Sequence, residues 1–304
     1  MNPLSTLMIL LQTVAAAPTP VPRVQAVPLA HREISFRLDG RELARYHSEP
    51  GIERPFLFPI IGPSGQMLTR MGHPHDPVTH SHHDSVWVAH SDVNGVDFWT
   101  DGDTGRIVTL RIRELGDSDA AAWAVAENEW SAPGGKVLLR ERRRIAAEPL
   151  SGGEWMLVAD IELEPAAGEA VFGKTPFGMV GVRMAKSIGV SDGGGVIRNS
   201  EGGVNEKEVL WKRARWVDYS GAVSNSAIEG ITLMDHSANP NHPTYFHVRN
   251  DGWMGTSLTY DAPRRLGPGE KLKLRYGLYV HSGRPAVEAI ERRWEAFSAS
   301  GLKQ

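Results

Sequence analysis

The 304-residue chain has no cysteine, almost no net charge and no long apolar run, and each lack narrows what it can be. Without cysteine there is no disulfide framework, no thiolate-held zinc or iron–sulfur site and no thiol nucleophile. With 33 basic and 36 acidic side chains, for a formal charge of −3, it lacks the electrostatic footprint that nucleic acid or an anionic membrane demands. No stretch approaches the roughly 20 apolar residues of a spanning helix, so membrane insertion is not expected. A G-x-G-x-x-G turn and an H-E-x-x-H helix are also missing. A dinucleotide fingerprint and a zincin helix are therefore without support, and no nucleotide cofactor is expected.

What is there begins with an apolar segment, residues 4–14 (LSTLMILLQTV), followed by three alanines. It has the length of a secretory h-region with a small-residue cleavage site, so 1–17 is expected to be a signal peptide and the mature protein periplasmic or secreted. Prolines 18, 20, 22 and 28 then make 18–30 an extended linker. From 31 to 304 a single domain is expected. Its dominant pattern is period-2 alternation broken by 32 glycines and 20 prolines with Asn and Asp, the signature of strands and turns. Strands are expected at 34–38, 107–112, 136–145, 155–163, 178–184, 211–219, 228–234 and 271–280. Helical spacing is convincing only for Val287, Ile290, Trp294 and Phe297. The fold class is thus all-β, a large antiparallel β-sandwich with a C-terminal helix on its outside.

Six of the twelve histidines, His73, His75, His80, His82, His83 and His90, fall within eighteen residues. If 80–88 is a strand, His80 and His82 share a face and His83 lies on the other, because side chains alternate. An H-x-H pair can chelate a divalent metal ion, with further ligands from elsewhere. A metal-free acid–base or sugar-binding site, or a set hydrogen-bonded to loop backbone, is also open to these residues, after the metal. Trp87, interleaved with valines, points to burial of the segment. Two other stretches mix charge with aromatics as small-molecule sites do: 199–221, with Glu201, Glu206, Lys207 and Arg215, and 235–253, with Tyr245, His247 and Arg249 on one strand face.

Together the segments HSHHDSVWVAHSDVNGVDFW, SEGGVNEKEVLWKRARWVDYSG, HPTYFHVRNDGWMG and GEKLKLRYGLYVHSG resemble the bacterial PmoA-like family. That resemblance implies export and a part in glycan breakdown alongside keto-sugar hydrolases or lyases. A methane monooxygenase subunit of the same name spans the membrane several times, which this chain has no segment to do. The order of RPFLFPIIGPSG, the His-bearing segment and a last strand introduced by LGPGE is similar to that of galactose mutarotase-like proteins. Those are β-supersandwiches with a sugar site on a concave sheet face. Their catalytic glutamate near the C-terminal end has no counterpart here, so only the architecture and the sugar site are implied.

The expected function is an exported carbohydrate-active enzyme, a hydrolase or lyase of glycosides or keto-glycosides. His80 and His82 are the candidate metal ligands, and His83, Glu201, Glu206 and His247 the candidate catalytic groups. Trp87, Lys207, Arg215, Tyr245 and Arg249 are expected to hold the sugar. The rival expectation is a non-catalytic carbohydrate-binding module using the same face.

Overall fold

The computed structural model describes residues 20–303, so the expected signal segment at 1–17 lies outside the described residues. Two antiparallel sheets face each other. The nine-stranded sheet runs in the order β1 (Val24–Pro28), β2 (Glu33–Leu38), β3 (Arg41–His47), β4 (Phe56–Ile60), β5 (Val86–His90), β11 (Gly178–Arg183), β17 (Trp253–Ser257), β16 (Thr244–Arg249) and β13 (Lys212–Ala214). The eight-stranded sheet runs β12 (Val196–Asn199), β14 (Trp216–Ala222), β15 (Ile228–Asp235), β19 (Leu272–Ser282), β9 (Trp155–Pro165), β8 (Val137–Pro149), β7 (Ala122–Ser131) and β6 (Arg106–Asp117). β10 (Ala170–Phe172) and β18 (Arg264–Leu266) form a small separate ribbon. Short helices α1 (Val190–Gly193) and α2 (Asn205–Val209) sit in connections, and α3 (Val287–Ser298) follows the last strand. Among the described residues no helix is long and apolar enough to cross a membrane.

The alternation follows from which faces are covered. Along β9, Leu157, Ala159, Ile161 and Leu163 point into the space between the sheets, whereas Met156 and Val158 point outward under α3. That helix buries Ile290 and Phe297 against Met156, Val158, Trp216, Met234 and Tyr279, so this end of β9 is apolar on both faces. Past the helix, Glu162 and Glu164 face water and strict alternation returns.

Two expectations about elements change. The linker at 18–30 contains β1, which pairs along its whole length with β2 and buries Val24 and Ala26, so the nine-stranded sheet starts before residue 31. The single strand expected at 211–219 is two strands in different sheets: β13 pairs with β16 and β14 with β15, and the chain crosses between them at Arg215. The Arg215 amide donates to Ser200 Oγ and its carbonyl accepts from Asp235, so the backbone at the crossing is satisfied outside either ladder.

Candidate functional site

The middle of the nine-stranded sheet carries chemistry on its outer face. Val88, Val180, Val182, Met254 and Val248 belong to the core, so their strand neighbours Trp87, Gly181, Arg183, Trp253, Gly255, His247 and Arg249 point the other way. Register aligns them in two rows: Trp87, Gly181, Gly255 and His247 are successive cross-strand partners, as are Arg183, Trp253 and Arg249. The glycines explain why two indoles lie flat on this face. A Cβ at 181 would stand 2.7 Å from Trp87 and 2.8 Å from Trp253, and one at 255 would stand 2.7 Å from Trp253. Gly181→Ala is therefore expected to lower stability by about 1–3 kcal/mol through overpacking. A lower urea midpoint together with an altered near-UV circular dichroism spectrum would show it.

The indoles form a platform for the histidine segment. His83 stacks on Trp253 (centroids 5.2 Å apart, planes at 12°) and on Trp87 (5.5 Å, 25°), and Trp99 meets Trp253 edge-on at 5.7 Å. The segment is not the strand expected over 80–88. It is a turn through His82, closed by bonds from the His83 amide to the His80 carbonyl and from Asp84 to His82, and β5 starts only at Val86. Asp76 causes the turn by accepting from the Thr79 amide (2.9 Å) and from His80 Nδ1 (3.0 Å). A turn suspends alternation, so His80, His82 and His83 reach one cavity instead of opposite faces.

Arg54 anchors this turn to the facing loop. Its fully buried guanidinium donates to Asp84 (2.9 Å), Asp101 (2.8 Å) and the carbonyls of His82, Phe98 and Thr100. Burial still pushes the Asp84 carboxyl up to about 6 against the pull of Arg54.

Between these walls lies a cavity of about 550 Å³, lined by His80, His82, His83, Asp97, Trp99, Phe177, Arg183, His247, Arg249, Asp251 and Trp253 among others. Three of its histidines are kept uncharged. Burial, then the charge of Arg54, lowers His82 to about 4, and burial, then Arg249, lowers His247 to about 4. His83 is pushed further down by burial, by Arg183 and by the neighbouring rings. The two carboxylates are committed elsewhere. Asp97 accepts from the Trp99 amide (2.6 Å) and from Thr100, while Asp251 takes Arg183 Nη1 (2.9 Å) and His73 Nε2 (3.1 Å). Burial pushes Asp251 up, but its bonds to Arg183 and His73 outweigh that and hold it low. What remains unpaired is notable for its type. Arg183 is fully buried yet its Nε and Nη2 have no partner, and neither do His83 Nδ1, His247 Nδ1 and Trp253 Nε1. A buried donor or acceptor left alone costs about 1–3 kcal/mol, which a bonding partner brought to these atoms would offset.

Of the residues singled out in the sequence, His80, His82, His83, His247 and Arg249 come together here, with Trp87 beneath them. Tyr245 continues the same face: its ring packs on Tyr260 (4.6 Å) under the Arg213 guanidinium, and Trp211 links Tyr260 to His247. Glu206 is not a free base. It holds Arg249 Nε at 2.9 Å and accepts from the Asn250 amide. Glu201 and Arg215 pair with each other at 3.2 Å, and Arg215 also binds Glu291 of α3 (2.8 Å), which makes it a tether for that helix, outside the cavity lining. Lys207 is exposed on α2. The ring centroids of His80 and His82 stand 6.1 Å apart, and among the described residues no third donor closes with them to within a metal's reach.

Arg54, Asp97, Trp99, Phe177, Arg183 and Asp251 were not anticipated. Arg183 had a signal, since a lone charge ending the apolar strand sequence GMVGVR must be buried with a purpose. A second concavity, of about 330 Å³, lies on the eight-stranded sheet around Glu127, Arg140, Glu162 and Lys271. Several of its charges are paired, as in Lys271–Glu162 and Arg140–Glu129.

Searches against known proteins add the following. No curated protein matches the sequence. Among solved structures, an Escherichia coli K12 protein provisionally described as an aldose 1-epimerase aligns with 79% of this chain and 97% of its own, at 14% identity and a TM-score of 0.33. A TPR-domain containing protein from Parabacteroides distasonis aligns with 88% of this chain and 53% of its own, at 9% identity and a TM-score of 0.31. Likenesses this distant bear on neither ligand nor chemistry, and the PmoA-like label suggested by the motifs is not among the matches. The profile that does match covers residues 33–295, nearly the whole two-sheet body: the chain belongs to the family of unknown function DUF6807.

Proposed function

We propose that this chain is an exported carbohydrate-active enzyme, a lyase that cleaves keto-glycosides by β-elimination in the cavity on the nine-stranded sheet. One observation carries the reading: uncharged imidazoles with unpartnered nitrogens, His83 and His247, share that cavity with the buried Arg183, two of whose donors are unpartnered. A hydrogen on the carbon beside a ketone can be removed when the developing enolate oxygen receives charge-assisted hydrogen bonds. Nε and Nη2 share one edge of the guanidinium, the edge that grips oxygens in parallel, and Arg183 turns its other end to Asp251. His83, neutral at pH 7, accepts the proton. The C–H electron pair becomes the new C=C bond, the glycosidic C–O bond breaks, and the leaving oxygen takes the Nε2 proton of His80 in its imidazolium form, whose Nδ1–H is held by Asp76. The products are an unsaturated keto-sugar and a free alcohol, and no water is consumed. His80 lies at the rim, where exchange with solvent resets both imidazoles.

Hydrolysis by a carboxylate pair is the weaker reading, because it needs one carboxylic acid kept protonated opposite a free carboxylate. Asp97 and Asp251 are both taken up by donors of the protein, the Trp99 amide and Arg183. The cavity volume lies within the roughly 300–1,000 Å³ of small-molecule sites, and Phe177, 36% exposed, offers a face for a sugar ring. The test is incubation with a chromogenic 3-keto-glycoside in heavy-oxygen water, followed by NMR and mass spectrometry. Free aglycone with an enone lighter than the keto-sugar by one water is expected. Incorporation of the heavy oxygen at the anomeric carbon would replace elimination by hydrolysis, and saturable binding without turnover would replace the enzyme by a binding module.

A further inference from the structure

A second cluster lies on the outer face of the same sheet, nearer its β1 edge. Glu33 opens β2 and His47 closes β3 directly opposite it, while Glu49 follows two residues later. One donor atom from each of the three lies within 4.8 Å of the others. His47 Nε2 is 2.8 Å from the carbonyl oxygen of Phe58. A carbonyl only accepts, so Nε2 carries the hydrogen, and in the neutral ring Nδ1 is a lone pair. That lone pair faces Glu33 Oε1 at 3.4 Å and Glu49 Oε1 at 3.7 Å. Three electron-rich atoms turned toward one point repel one another unless a cation lies between them.

Distance separates a proton from a metal as that cation. A charge-assisted N–H···O bond spans about 2.7–2.9 Å, shorter than either separation here. Donors bound at roughly 2.0–2.2 Å to a tetrahedral zinc stand about 3.3–3.6 Å from one another, close to both. The surroundings are those of a ligating histidine, which typically gives its other N–H to a backbone carbonyl. Phe56 stacks on the imidazole at 4.7 Å and fixes its plane. Arg45 binds the outer oxygen of Glu33 at 3.0 Å and directs the other inward, and Glu49 Oε2 is buried without a partner. His47, Glu33 and Glu49 keep 13%, 21% and 28% side-chain exposure, so an ion and a water to complete its shell can enter from solvent.

We infer that Glu33, His47 and Glu49 bind one divalent transition-metal ion, zinc or manganese by the chemistry of one imidazole and two carboxylates. The site is independent of the proposed catalytic cavity and clamps β2 to β3 and the turn that follows. Tag-free, chelator-treated full-length protein titrated calorimetrically with zinc chloride tests it. One equivalent is expected to bind, with a rise in melting temperature. The conservative variant Glu49→Gln, which keeps the shape and the fold, should weaken binding about 10–100-fold and abolish the thermal shift. A His80→Ala/His82→Ala double variant should retain both, which separates this site from the histidine turn. Absence of saturable binding, or binding that survives Glu49→Gln and disappears in the double variant, would overturn the assignment. So would an NMR titration in which His47 protonates unaffected by zinc.

Discussion

Replacing His83 with alanine is expected to lower kcat on a keto-glycoside about a thousandfold while KM changes little. The size follows from the role. The imidazole acts on the proton in the transition state, and little of the sugar's binding rests on it, since Trp99, Phe177 and Arg183 also line the cavity. The fold should survive, because Trp87 and Trp253 still pack on each other at 5.3 Å once the ring is gone. The pH profile supplies an independent readout. An ordinary histidine base would lose activity as pH falls through about 6.5. Here burial and Arg183 keep His83 unprotonated well below that, so activity should not fall through pH 6.5 with its titration. Steady-state kinetics of wild type and His83→Ala between pH 5 and 8 provide the check. A variant within tenfold of wild type would remove His83 from the chemistry.

Acid should unfold this protein unusually early. His82, His90 and His247 hold values of about 4 when folded, burial being the leading cause in each, and His83 is lower still. Their unfolded value is near 6.5. Their contribution is complete above pH 6.5 and is lost as pH falls toward 4, because over that range the unfolded chain binds protons that the folded one refuses. Asp84 opposes them: burial raises it to about 6, so the folded state holds an extra proton between 6 and 3.8 and gains stability there. With His73 and His236, also lowered by burial, and Asp160, also raised by it, six histidines oppose two carboxyls, so the unfolded chain takes up several more protons, each worth about 1.4 kcal/mol per pH unit. A domain worth about 5–15 kcal/mol cannot sustain that for much more than two units. Urea midpoints measured from pH 7 to 4.5 should fall steeply below 6.5. His90→Gln, a change outside the cavity at a residue bound to Thr259, should make the fall shallower by about one proton. A midpoint flat down to pH 5 would contradict the buried neutral histidines.

The crowding of histidines between 73 and 90 is visible in the sequence, but their geometry is not. Read as a strand, the segment puts His82 and His83 on opposite faces; the Asp76 turn brings them to the same one. Glu201 and Arg215 look like site residues because charge, glycine and tryptophan cluster around them. In the structure Arg215 instead marks the crossing from one sheet to the other and ties down α3. Arg183 and Asp251 are sixty-eight positions apart and meet only because β11 and β17 are neighbours. Glu33 and His47 likewise become opposite partners through the β2–β3 register.

By itself the sequence determined the class of fold, because alternation and the single 3.6-residue period are local properties of the chain. It also excluded thiol chemistry, since cysteine is absent. Tertiary structure alone decided which polar groups share a cavity and which are left unpaired in it. Cross-strand register, two glycines beneath two indoles and the burial that strips charge from the histidines are properties of the packed sheets, to which no short stretch of sequence responds.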